Sequence, residues 1–330
     1  MKYLRMLFDP FTLTLLAVVA TATVLPCQGQ GAYVFGWLTN LAIGLLFFLH
    51  GAKLSREAII AGAGHWRLHL VVFSCTFALF PLIGLAFKPL FLPLVGNELY
   101  LGVLYLCALP ATVQSAIAFT SLARGNVPAA ICSAAASSLL GIFLTPLLVM
   151  LLLGADGETG SGLDAVLKIT LQLLVPFVAG QLARRWIGGW VKRHARWLKV
   201  VDQGSILLVV YTAFSDAVVT GLWQSVSPQH LAGLFAVCAI LLAAILLVTH
   251  LVGRLFGFNL EDRITILFAG SKKSLATGVP MAQVLFVGSG IGAMILPLML
   301  FHQIQLMVCA VLAQRYARRE APLDGAAITR

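Results

Sequence analysis

The stretch ITILFAGSKKSLATGVPMAQVLF, residues 264–286, is long enough to cross a bilayer, yet it carries two adjacent lysines, Lys272 and Lys273, near its middle. Insertion scales charge about 2.5 to 3.5 kcal/mol for each lysine at the centre of a spanning helix, so the pair needs a reason. Gly270, Gly278 and Pro280 flank the lysines, and Ser271, Ser274 and Thr277 supply hydroxyls. The pattern predicts two half-helices meeting at an unwound polar centre, because irregular backbone at membrane depth survives only where protein or a cavity satisfies it. The plain alternative is a helix end with both lysines in an aqueous loop. Apolar sequence that resumes at once on both sides argues against it.

Composition sets the class. Of 330 residues, 60% are hydrophobic and 10% charged, whereas soluble domains are roughly one-quarter charged. The chain reads as an all-α polytopic membrane protein. A net charge of +10 would suggest nucleic acid as partner for a soluble protein, but the basic residues lie mainly in short gaps between apolar runs, where they orient helices. No nucleic acid is expected. Cys27, Cys75, Cys107, Cys132, Cys238 and Cys309 stand singly, without C-x-x-C spacing, and read as small hydrophobes. The basic start MKYLRMLFDPF lacks a convincing cleavage site and reads as an uncleaved first helix.

Apolar runs place ten transmembrane helices at 10–26, 32–50, 67–87, 98–123, 127–153, 163–186, 203–222, 230–256, 264–286 and 289–316. Charge tests the count. With a cytoplasmic N-terminus, loops on that side collect the basic residues from Lys2 and Arg5 through Arg184, Arg185, Lys192 and Arg193 to Arg318, Arg319 and Arg330, and the opposite loops hold Lys88 alone. One miscounted helix would scramble this bias, so both termini are expected in the cytoplasm of a cell with the protein in its inner or plasma membrane. The stretch 186–200, WIGGWVKRHARWLKV, reads as a helix end and linker anchored at the membrane surface, and 320–330 as a flexible tail.

Split after the fifth helix, the chain forms two five-helix repeats, 1–153 and 163–319. An odd number of helices inverts the second repeat against the first. The fourth helix is the irregular one in each. TVQSAIA from Thr112 matches SKKSLAT from Ser271, with Ser115 in register with Ser274. Two such discontinuous helices crossing near the midplane would gather Thr112, Gln114, Ser115, Ser271, Lys272, Lys273, Ser274 and Thr277. Close helix packing explains the small hydroxyl residues but not adjacent lysines.

The segments LPATVQSAIAFTSLARGN (109–126), LTPLL (Leu144–Leu148), GSKKSLATGVPMA (270–282) and FHQIQ (Phe301–Gln305) resemble the bile acid:sodium symporter superfamily, in its branch related to solute carrier family ten member seven. The resemblance implies a bile acid symporter-like fold with a panel domain (10–50, 163–222) and a core domain (67–153, 230–316). Helices four and nine are then unwound where they cross, substrate enters between the domains, and sodium lies behind the crossing. It adds His302 and Gln303 of the tenth helix as candidates. The chain departs from the sodium-coupled pattern. The glutamate of the helix-nine motif is missing, and no acid occurs between Arg263 and Glu320. Ala130 and Ala134 stand near ligand positions of the fifth helix, with Ser133, Ser137 and Ser138 as shifted substitutes, and Thr76 replaces an amide on the third.

Charge bookkeeping agrees. Asp216 is the one acid placed well inside a span, against two lysines, so either a lysine is neutral, Asp216 pairs with one, or an anion completes the site. Lys168 is expected to snorkel to the surface. An intramembrane enzyme is disfavoured: one membrane aspartate, no G-x-S-x-G and no H-E-x-x-H. The reading is a secondary transporter of a small, anionic, amphipathic organic solute, with a non-transporting regulator of ion entry as the rival. Phe47, Phe48, Phe214 and Met281 are expected to line an apolar cavity. No cofactor is expected, and sodium or a proton are the coupling ions to weigh. The remaining partner is the lipid bilayer.

Overall fold

The computed structural model describes residues 10–54, 64–153, 163–286 and 291–319. The N-terminal nine residues, the loop near 155–162 and the tail 320–330 lie outside them, as does the side chain of Lys168. The described residues form helices and no strand: α1 (Pro10–Val24), α2 (Gln30–Lys53), α3 (Trp66–Ala86), α4 (Lys88–Ala108), α5 (Gln114–Leu122), α6 (Val127–Leu153), α7 (Leu163–Arg193), α8 (Ala195–Val219), α9 (Pro228–Leu255), α10 (Leu260–Gly270), α11 (Leu275–Leu285) and α12 (Ile291–Ala317), with a single turn at Leu222–Ser225. Seven of them, α2, α3, α4, α6, α8, α9 and α12, are long and apolar enough to cross a membrane. Large apolar side chains such as Leu41, Leu151, Leu182 and Leu255 stand exposed. Lipid, not water, is the solvent such a surface fits.

Two groups of helices pack internally. In one, α2 lies along α7 and α8 covers α1 and α2. Glycines set the closeness of α2 and α7: a Cβ on Gly51 would run into the Phe177 carbonyl, and one on Gly180 into the Phe48 carbonyl. Small residues let backbones approach this way in lipid, where contact area replaces the hydrophobic drive. In the other group α4 is central, touching α3, α6, α9 and α12. The groups meet where α8 packs on α11 and α12, and where α6 meets α7.

Charge and hydrogen bonds tie helix ends together. At one end Lys53 pairs with Asp202, Asn126 Nδ2 donates to Asp262 at 2.8 Å, and Arg319 donates to the Arg124 carbonyl at 2.9 Å beside Glu261. Asn126 also caps α6 by accepting from Ala129 N–H, while Asn259 caps α10 by accepting from Asp262 N–H. At the other end Trp223 Nε1 donates to Thr23 and Tyr211 donates to the Leu25 carbonyl.

One boundary is refined and one differs from the sequence reading. Lys88–Ala108 is two helical pieces: Pro89 suits the first turn of the shorter one, and Gly96, with φ 74° and ψ 172°, breaks the run in non-helical backbone, so the longer piece starts close to 98 as expected. The expected linker after Trp186 is helical as well, with α7 and α8 separated only by His194. Trp186 and Trp197 are well exposed there. The four residues expected to line a cavity do not do so together: Phe47, Phe214 and Met281 are packed inside the main core, and Phe48 packs beside Leu49 and Val191. Aromatic residues on helix faces that pack on other helices become core.

Candidate functional site

The chain is interrupted twice at one place. Between α4 and α5 residues 109–113 leave the helix, and between α10 and α11 residues 271–274 do so. Ser274 N–H donates to the Pro110 carbonyl at 3.0 Å, and Tyr105 donates to the Gly278 carbonyl at 2.5 Å, so the two breaks face each other. A helix end leaves its last carbonyls without donors, and buried ones must be satisfied elsewhere. Here every one from 107 to 110 is: Cys107 and Leu109 by Lys273 Nζ, Ala108 by Thr145 Oγ1 at 2.9 Å, and Pro110 by Ser274. The freed Ala111 N–H donates to Ser137 Oγ. Ser274 then caps α11 by accepting from Thr277 N–H at 3.2 Å.

The lysines occupy different settings, and both are fully buried. Lys273 Nζ donates to the carbonyls of Thr76, Cys107 and Leu109 at 2.7, 2.8 and 2.6 Å and lies 4.1 Å from the centre of the Phe80 ring. Three acceptors require three N–H donors, which only the protonated ammonium has. Lys272 Nζ has one oxygen acceptor among the described residues, the Ser115 carbonyl at 3.1 Å, and lies 3.7 Å from the Phe119 ring and 5.6 Å from Phe268. Among the described residues neither ammonium has a carboxylate within ion-pair distance. Carbonyl dipoles and ring faces hold the charge instead.

The Thr76 carbonyl is free for a reason written in the sequence. Cys75–Leu79 is a π-helical turn, in which Phe80 N–H donates to the Cys75 carbonyl five residues back. In that register the donor for Thr76 would be residue 81, and Pro81 has no N–H.

Of the other expected site residues, Thr112 and Ser115 share a hydrogen bond of 2.7 Å beside Lys272. Ser271 and Thr277 are buried, and the Thr277 hydroxyl has no hydrogen-bond partner among the described residues. His302 Nδ1 stands 3.4 Å from the Lys273 carbonyl and 2.9 Å from Gln305 Nε2. Three residues are not gathered as expected. Gln114 is exposed at the start of α5. Ser133 is bound by His69 Nδ1 at 2.7 Å, since α6 turns it toward α3. Asp216 is exposed on α8 and pairs with neither lysine. Gln303 is half-buried one residue past His302. The reading missed Gln305, whose signal was its place three residues after His302 on the same helix face, and it missed Tyr105 and Thr145.

A bundle of membrane-length helices with two interrupted ones meeting at buried, acid-free lysines defines an integral membrane protein of carrier type, since unwound helices at mid-depth are how carriers present polar groups. The chain belongs to the SBF-like CPA transporter family, whose profile matches residues 9–318. It is 70% identical over 315 residues to "Uncharacterized protein PA2026" of Pseudomonas aeruginosa, covering 96% of this chain and 95% of that one. Identity to "Putative symporter YfeH" of Escherichia coli is 60% over 327 residues, 98% of this chain and 97% of the relative. Against "Sodium/bile acid cotransporter 7" of Rattus norvegicus it is 30% over 278 residues, 83% and 82% of the two chains.

Proposed function

We propose that this protein is a secondary carrier that moves a small anionic amphipathic organic solute by alternating access at the crossing of α4–α5 with α10–α11, without a requirement for sodium. The observation that carries the reading is Lys272: a buried ammonium with one oxygen acceptor among the described residues, set on rings, in the break of an interrupted helix. An ammonium has three donors, so a solute carboxylate, sulfate or phosphate fits the two left over. Ser215 on α8 and Thr277 on α11, both buried with hydroxyls that lack a partner among the described residues, lie on two helices that join the helix groups and offer further polar contacts. Counting each interrupted pair as one crossing gives ten spans, read as two inverted halves, 1–153 and 163–319. The panel group is α1, α2, α7 and α8, and the core group is the rest. Names of relatives that contain "symporter" and "cotransporter" favour transport over the regulator reading.

Against sodium coupling stands the charge at the crossing. A cation within about 4 Å of an ammonium pays roughly 4 kcal/mol at an effective dielectric near 20, close to a thousandfold in affinity, and no acid between Arg263 and Glu320 repays it. The test has two parts. Organic anions are screened for thermal stabilisation of the purified protein, and the best is offered to proteoliposomes. Saturable uptake that persists when N-methylglucamine replaces sodium on both sides is expected. Uptake that vanishes on this replacement overturns the sodium clause, and binding without any uptake favours the regulator.

A further inference from the structure

Three main-chain oxygens converge on Lys273 Nζ, and each has been released from its own helix. Thr76 loses its donor to Pro81 through the π turn. Cys107 loses its donor because Ala111 N–H turns to Ser137, and Leu109 lies beyond the last residue of α4. The point where they meet is also the C-terminal end of α4, where the helix dipole is negative. The Phe80 ring closes another side. Carbonyl oxygens gathered from broken helices, backed by a dipole and a ring face and with no carboxylate among the described residues in ion-pair reach, form a site for a dehydrated monovalent cation.

We infer that Lys273 is a tethered cation: its ammonium fills a monovalent-cation site built from the carbonyls of Thr76, Cys107 and Leu109, so a charge carried by the chain locks the crossing in place of one drawn from solution. The arm that delivers it is rigid. Gln305 holds the Lys273 peptide through both its N–H and its carbonyl, which fixes where the side chain starts. The Nζ then reaches helices α3 and α4 at once, joining the breaks of α4 and α10 to the irregular turn of α3. The inference deepens the reading of the crossing as the working centre of a carrier.

Cutting the tether should leave a vacancy that soluble cations fill. Lys273→Ala is purified and its thermal unfolding followed in ammonium, sodium, potassium and N-methylglucamine chlorides at equal ionic strength. A midpoint below wild type in N-methylglucamine, with a saturable rise of several degrees in at least one small cation, is expected. Wild type and Lys272→Ala should not distinguish the four salts. Equal midpoints for Lys273→Ala in all four overturn the inference. Should the alanine variant not fold in any of them, Lys273→Met decides. It keeps the length and removes the charge, so it should be less stable than wild type in every salt, and a methionine variant as stable as wild type overturns the inference. The readout is stability alone, so a lack of transport would count against the carrier reading and leave this one standing.

Discussion

Gln305 grips Lys273 by the backbone, its Oε1 accepting from the Lys273 N–H at 3.0 Å and its Nε2 donating to the Lys273 carbonyl at 2.9 Å. The side-chain amide thus replaces the helical partners that the break removes, and both groups are buried. Gln305→Leu leaves the Lys273 N–H unpaired and its carbonyl with only the long 3.4 Å contact to His302 Nδ1, at a cost of about 1 to 3 kcal/mol for a stranded group. Thermal unfolding of the variant should show a large loss of stability. A midpoint equal to wild type would mean that the break satisfies itself in another way.

The two lysines should separate under the same substitution. Lys272→Met gives up one hydrogen bond and the contacts with Phe119 and Phe268, and exchange of a buried charge for an apolar group of similar size is often close to neutral. Its stability should stay near wild type while affinity for an anionic solute is lost. Lys273→Met strands three carbonyls and should lose stability first. Binding isotherms and melting curves for both variants check this, and parallel losses of both properties in both would contradict it.

The membrane class and the interruption of the ninth helix were legible because lysines at mid-span have a cost that apolar sequence cannot hide. Pro110 marked the matching break in the same way. The π turn was not legible. FSCTFALFP reads as an ordinary apolar helix, and Pro81 changes the register of hydrogen bonds without changing the apolar pattern. The pairing of Lys53 with Asp202 was not legible either, because periodicity says nothing about residues 149 positions apart. Asp216 looked relevant by elimination, and its exposure on α8 shows that being the one acid in a span is not a contact. Gln305 sits in FHQIQ with His302 and Gln303, and the apolar pattern does not say which of the three meets the break.

Glycine at 51 and 180 is the condition for the closeness of α2 and α7. Each added methyl group meets a main-chain carbonyl and not a movable side chain. Gly51→Ala and Gly180→Ala should each cost about 1 to 3 kcal/mol or more through forced separation of the helices. Gly44, on the same α2 with open space around its Cβ position, is the control, and Gly44→Ala should be neutral or slightly stabilising. Melting midpoints of the three variants settle the order.

Labelling can test the proposed orientation with residues at opposite ends of the first helix group. Gln30 starts α2 and Lys192 lies near the end of α7, and both are exposed. On a cysteine-free background, Gln30→Cys should react with an impermeant maleimide added to intact cells, and Lys192→Cys only after the membrane is opened. Reaction of both from the same side would remove the ten-span arrangement, since an odd number of crossings separates opposite ends.

Lys53 and Asp202 join α2 to α8 within the first helix group, and the Asp202 side chain is only 10% exposed. Its second oxygen, Oδ1, is buried without a partner among the described residues, and so is Nδ1 of the nearby His50. Removal of one member of such a pair leaves a charge in a place that water reaches poorly, a loss of about 3 kcal/mol or more. Lys53→Met alone and Asp202→Leu alone should therefore both destabilise. The double variant replaces two charges with two apolar side chains, and most of the loss should return, because the cost lies in the stranded charge more than in the pair. A double-mutant cycle on melting free energies measures the coupling. Additive losses would show that the two residues act separately, with the pair contributing nothing to the contact of α2 with α8.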